Sequence, residues 1–216
     1  MDLFIYQSYL IVQMIKQKRK VFKCNSSTFR KEVDDILILS TPPVTLTLFI
    51  IYIVIFFADR IWGDQLSKWG TGKSFDYMSK GEWYRLITAP FFHLNIIHLM
   101  GNAFGIYFVG LVLENKIGSI MFFLIYTIGN VIVSLLFSIF SSFNKGTGAS
   151  PGIFALVGCI FYLFIQTPDL FNFQLGTWKT NYIIFYSILG NFIGLGGAVS
   201  HVVGFMLGIL MSFFLF

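Results

Sequence analysis

The chain has 216 residues, 56% of them hydrophobic and only 12% charged, with a mean hydropathy of +0.77. An average soluble domain carries about 25% charged residues, so this shortage excludes a disordered or strongly solvated chain. Together with the long apolar runs it also excludes an ordinary soluble globule and points to an all-α polytopic membrane protein. The length suits about six spans of about 20 residues each plus a short tail.

The net charge of +5 is not evenly spread. Lys16, Lys18, Arg19, Lys20, Lys23, Arg30 and Lys31 all precede the first strong span. By the positive-inside rule, residues 1–42 read as a basic cytoplasmic tail and residues 43–216 as the membrane domain. The same charges suit contact with the anionic lipid of a bilayer, and no nucleic-acid partner is expected from such a run in a membrane chain. Residues 3–15 are apolar, but the charges follow them instead of preceding them. They predict an interfacial helix on the inner leaflet and no cleavable signal peptide. Cys24 and Cys159, in the tail and in a span, are not expected to pair.

Span 1 is predicted at about Pro43–Ala58, followed by a polar and aromatic connection from Asp59 to Leu94. Span 2 covers about Asn95–Leu113, closed by Glu114, Asn115 and Lys116. Span 3 covers about Ile117–Phe140. Residues 141–149 form a glycine-containing loop, and span 4 runs from Ser150 to about Ile165. Residues 167–180 connect to span 5, at about Asn181–Leu195, which Gly196 and Gly197 are expected to break. Span 6 covers about Ala198–Phe216. With the tail inside, spans 2, 4 and 6 begin at the outer face.

That count brings His98, Ser150 and His201, which open spans 2, 4 and 6, to one face and one depth range. Strongly polar groups at membrane depth are costly and tend to mark sites. Ser150 before Pro151 reads as a helix start, with serine as the cap and proline at the first helical position. That reading covers the serine alone. It leaves out Gly148 and Gly152, which let the backbone approach closely, and the histidines opposite. Ser150, Phe154 and Gly158 form one stripe of span 4, and His201, Gly204 and Gly208 one stripe of span 6. Small residues let two helices pack closely in lipid, and this packing would bring the Ser150 hydroxyl near the His201 imidazole as nucleophile and base. His98 and Asn102, four residues apart in span 2, are either helix-joining polar residues or a donor pair aimed at an oxyanion. No acid is placed to complete a triad, so packing of Phe154 would orient the imidazole. No metal-ligand spacing or phosphate-cradling loop is present, so no metal and no cofactor are expected.

At this point the chain resembles the rhomboid family of intramembrane serine proteases. Glu82-Trp83-Tyr84-Arg85 looks like the tryptophan–arginine element of that family's first loop. His93 followed by His98-x-x-x-Asn102 looks like its second-helix motif, and Gly148-Ala149-Ser150 like its GxS motif. His201-x-x-Gly204-x-x-x-Gly208 looks like its last-helix motif, and Glu114-x-x-x-Gly118-Ser119 falls where the family has a glutamate–glycine pair. The resemblance implies a six-transmembrane-helix rhomboid-like bundle with a water-filled cavity open to the outside. It implies Ser150 as nucleophile, His201 as general base, and an oxyanion hole of His98, Asn102 and the Ser150 backbone N–H. The substrates would be other membrane proteins, cleaved near the outer end of a transmembrane helix. The first loop would lie partly in the outer leaflet, held by Trp83 and Arg85.

Three positions depart from the family pattern. Pro151 stands where glycine usually follows the serine, Phe154 where tyrosine is frequent, and Ser200 where alanine is common before the histidine. None removes a reacting group. A catalytically silent rhomboid-like protein that binds membrane helices stays open on the strength of Pro151. A proton relay would need charged groups along a path through the membrane, and the inner halves of spans 2, 4 and 6 offer almost none. The Lys-, Ile-, Asn- and Phe-rich composition points to a bacterial cell membrane.

Overall fold

A computed structural model describes residues 41–72, 75–140, 147–170, 178–189 and 195–216. The basic tail, Cys24 and the interfacial helix expected at residues 3–15 lie outside the described residues. So do residues 141–146 of the loop before Ser150. The chain divides into two units, Met1–Thr41 and Pro42–Phe216, and the second holds every helix described.

Its elements in chain order are α1 (Pro43–Ile61), three short helices α2 (Gln65–Gly70), α3 (Phe75–Ser79) and α4 (Arg85–Thr88), and a 3-10 turn at Ala89–Phe91. Then come α5 (Ile96–Ile117), α6 (Ser119–Phe140), α7 (Ser150–Gln166), a 3-10 turn at Pro168–Leu170, α8 (Trp178–Leu189) and α9 (Leu195–Leu215). The described residues contain no strand. Among the described residues, four helices are long and apolar enough to cross a membrane: α1, α5, α6 and the Gly197–Leu215 part of α9. The fold is therefore an all-helical, multi-pass membrane bundle, since only helices or closed barrels satisfy the backbone in lipid.

The fourth predicted span appears as α7, an apolar helix of 17 residues. Every residue from Pro151 to Ile160 is buried. A helix that is apolar all round belongs inside a bundle, and α7 packs against α5, α6 and α9. The fifth element differs from expectation. It begins before Asn181, and Gly196 and Gly197 lie within α9. There the Ser200 hydroxyl donates to the Gly197 carbonyl (2.8 Å).

One end of the bundle is tied by Glu114, a carboxylate only 1% exposed. It accepts from the backbone N–H groups of Val44 (3.0 Å) and Thr45 (2.7 Å) and from the hydroxyls of Thr45 (2.6 Å) and Ser119 (2.6 Å). The start of α1 has no side-chain cap of its own, so the carboxylate of α5 supplies its acceptor. Gly118, at φ +82°, lets α5 turn directly into α6. Deeper in the bundle, the Tyr52 hydroxyl donates to that of Tyr126 (2.6 Å), which joins α1 to α6.

The connection between α1 and α5 folds around Arg85, which is 7% exposed. Its guanidinium pairs with Glu82 (2.5 Å), donates to the Lys68 carbonyl (3.1 Å) and to the Thr71 carbonyl, and lies 4.4 Å from the centre of the Tyr77 ring. One planar cation with several donors thus closes a segment of otherwise short helices. Trp83, two residues earlier, is 53% exposed, as are large faces of Trp62, Trp69 and Phe75.

Candidate active site

The first turn of α7 places Ser150. Its neighbour Gly148 has φ +98°, a conformation that L side chains rarely adopt, and its N–H donates to the Ala89 carbonyl (3.3 Å). The cap position is Ala149, with no side-chain capping bond, and Ser150 is already helical. This corrects the expectation that Ser150 caps the helix. The capping work is done from α6: the Asn130 amide oxygen accepts from Gly152 N–H (3.1 Å), while its nitrogen donates to the Tyr126 carbonyl (3.0 Å). A side chain from a neighbouring helix satisfies the orphan donor, and the Ser150 hydroxyl is spared that task.

Ser150 Oγ lies 2.8 Å from Nε2 of His201 on α9. The approach depends on glycine. A Cβ on Gly204 would stand 2.4 Å from the Pro151 carbonyl oxygen, and one on Gly208 would stand 1.9 Å from that of Ala155. From the other helix, a Cβ on Gly158 would stand 2.1 Å from the Phe205 carbonyl oxygen. No larger residue fits without moving backbone, so α7 and α9 meet along the two small-residue stripes. Phe154, one turn below Ser150, stacks on the His201 imidazole at 4.2 Å with the planes only 3° apart. His201 itself is 6% exposed.

The α5 residues face the same turn. Asn95 caps α5 by accepting from His98 N–H (2.9 Å), which fixes the start of the helix at Ile96, two residues before the histidine. A Cβ on Gly148 would fall 2.5 Å from His98 Nε2 and 3.1 Å from Asn102 Nδ2, so both groups border the loop that enters Ser150. Asn102 Nδ2 is buried and has no hydrogen-bond partner among the described residues, whereas its Oδ1 accepts from the Tyr186 hydroxyl of α8 (3.1 Å). His93 lies behind His98, with ring centres 5.2 Å apart, and is 5% exposed. Burial, and then the neighbouring His98, hold its pKa down to about 3 against a smaller opposing effect of the Phe91 backbone, so it is neutral at physiological pH.

The arrangement offers a hydroxyl hydrogen-bonded to an imidazole, beside amide and imidazole nitrogens. That donor set suits acyl transfer. Among the described residues no three His, Cys, Asp or Glu side chains are grouped to hold a metal ion.

The family description Rhomboid domain matches residues 80–216, more than half of the chain. The protein belongs to the rhomboid family. It is 32% identical over 139 residues to the rhomboid protease GluP of Bacillus subtilis, a match covering 63% of this chain but 26% of that protein. A putative rhomboid protease of the same organism, YdcA, is 26% identical over 71% of this chain and 75% of its own length. An inactive RHOMBOID-like protein 8 of Arabidopsis thaliana is also 26% identical, over 55% of this chain and 36% of its own length. The chain thus spans about a quarter to a third of the length of several curated relatives that it matches.

Within this rhomboid bundle, Ser150, His201, Phe154, Gly204 and Gly208 converge, with Gly148, His98, Asn102 and His93 on the adjoining side. Arg85 sits at the centre of the first connection, and Trp83 points outward from it. Two residues were missed in the sequence. Asn130 carried a signal, as an amide in the middle of a strongly apolar span. Tyr186 carried less, since a tyrosine in a span is ordinary until its hydroxyl is seen against the Asn102 amide.

Proposed function

We propose that the protein is an intramembrane serine endopeptidase working through a Ser150–His201 dyad. The observation that carries this is the 2.8 Å contact between Ser150 Oγ and His201 Nε2, with Phe154 stacked beneath the imidazole. Neutral His201 takes the Ser150 proton as Oγ attacks the scissile carbonyl carbon. His98, Asn102 Nδ2 and the Ser150 N–H hold the oxygen that becomes negative, helped by the positive end of α7. The imidazolium then returns its proton to the leaving amine, and water, activated by the same ring, releases the acyl group. The substrate is the transmembrane segment of another protein, opened near its outer end.

In this reading residues 43–216 form the six-helix membrane domain, with α7 and α8 completing the six. Residues 1–42 form a basic cytoplasmic tail, and the setting is a bacterial cell membrane. Pro151 is compatible with activity. It stands in the first turn of α7, where a missing N–H is lost anyway, and its carbonyl packs against Gly204. That position and that contact support the active reading over a silent helix-binding relative.

The test is cleavage of a reporter transmembrane substrate in proteoliposomes, with fluorophosphonate labelling beside it. Wild type should cleave and label, and Ser150→Ala and His201→Ala should each abolish cleavage. Cleavage retained in either variant, or a wild type that neither cleaves nor labels, refutes the dyad.

A further inference from the structure

The Asn102 amide could face the Ser150 turn with either end. Its nitrogen would stabilise an oxyanion there, and its oxygen would repel one. The structure holds one orientation through α8. The Tyr186 hydroxyl donates to Asn102 Oδ1 (3.1 Å), and Nδ2 is left buried, without a partner among the described residues, on the side of Gly148. Turning the amide over would leave the buried hydroxyl proton without its acceptor, which opposes the flip. Tyr186 is itself held firmly. Its ring packs where a side chain on Gly105 would otherwise stand, at 2.9 Å from that Cβ position. It also lies 5.4 Å from Phe154, the residue stacked on His201. One turn earlier on α8, Tyr182 packs against Phe108 of α5 with ring centres 4.4 Å apart, which sets the register of the two helices.

We infer that Tyr186 is a positioning residue that orients the Asn102 amide so that its N–H groups face the Ser150 turn. This rests on the dyad reading above. Tyr186 touches no reacting atom, and its hydroxyl acts through Asn102. Losing the hydroxyl should therefore lower the rate of the chemical step and leave substrate binding nearly untouched.

The experiment measures kcat and KM for the reporter substrate in proteoliposomes with wild type, Tyr186→Phe, Asn102→Ala, the double variant and Tyr182→Phe. Tyr186→Phe should lower kcat about tenfold with KM within about twofold, and Asn102→Ala should lower kcat about a hundredfold, as loss of an oxyanion donor does. The double variant should be no slower than Asn102→Ala, because the hydroxyl has nothing left to orient. Tyr182→Phe, which removes a hydroxyl from the same helix, should stay within about twofold of wild type. A Tyr186→Phe enzyme as fast as an active wild type overturns the inference and leaves the dyad standing. Multiplying losses in the double variant, or equal losses in Tyr186→Phe and Tyr182→Phe, also overturn it. A wild type that never cleaves removes the dyad reading and this inference together.

Discussion

Asn130 of α6 accepts the Gly152 N–H two residues beyond Ser150 and so holds the start of α7 from outside. A Cβ on Gly152 would stand 2.0 Å from Asn130 Nδ2 and 2.4 Å from the Tyr126 carbonyl oxygen, so the two helices touch at this point. Asn130→Leu keeps the branched shape and strands the buried Gly152 N–H, while the Tyr126 carbonyl keeps its bond within α6. It is expected to lower unfolding stability by about 1–3 kcal/mol. Cleavage should fall as well, because the turn carrying Ser150 loses its anchor. Thermal unfolding in detergent, paired with the reporter assay, measures both effects. An unchanged melting temperature and rate would show that α7 is held by packing alone.

Much of this site was legible because its chemistry is carried by residues that are costly in lipid. His98, Ser150 and His201 stood out against apolar spans, and helical spacing placed Phe154, Gly204 and Gly208 on the faces where they are found. What the spacing could not give was the direction of a side chain. Ser150 reads as a cap by its sequence context, yet the cap bond comes from Asn130 on another helix. Gly196 and Gly197 read as a breaker, yet both lie within α9. Tyr186 gains its meaning only from contact across α5 and α8, which no local pattern encodes.

In the proposed dyad, the stack of Phe154 on His201 would hold the imidazole in place. Phe154→Leu retains apolar bulk and removes the flat face. The lost ring–ring interaction, about 0.5–1.5 kcal/mol, should lower kcat by up to about tenfold, with little change in KM. Phe154→Tyr, which keeps the face, should stay close to wild type. Steady-state kinetics on the reporter substrate decide the matter, and a leucine variant with full kcat would remove the ring from the orienting role.

Glu114 separates stability from activity. It lies 16 residues beyond His98 on the same helix, about 24 Å along its axis. Glu114→Ala strips the acceptor from two backbone N–H groups of α1 and two hydroxyls. The expected loss is about 3 kcal/mol or more of stability, as for a buried charged hydrogen-bonding group removed from its partners. At a temperature where the variant is still folded, its kcat and KM should match wild type. A variant with normal melting but impaired cleavage would mean that this end of the bundle governs the site.

His93 should make the fold sensitive to acid. Its folded pKa of about 3 lies below the unfolded value of about 6.5, so from about pH 6.5 down to about 3 the unfolded chain binds a proton that the folded chain refuses. Stability therefore falls with pH across that window, by up to about 1.4 kcal/mol per pH unit from this group, and is unaffected by it above the window. The imidazole lies 5.3 Å from the Tyr52 ring and 5.2 Å from His98, space that a phenyl ring can fill. His93→Phe should flatten the acid limb of a plot of melting temperature against pH while leaving the neutral region nearly unchanged. If wild type and His93→Phe lose stability in parallel between pH 6.5 and 4, the acid sensitivity belongs to another group.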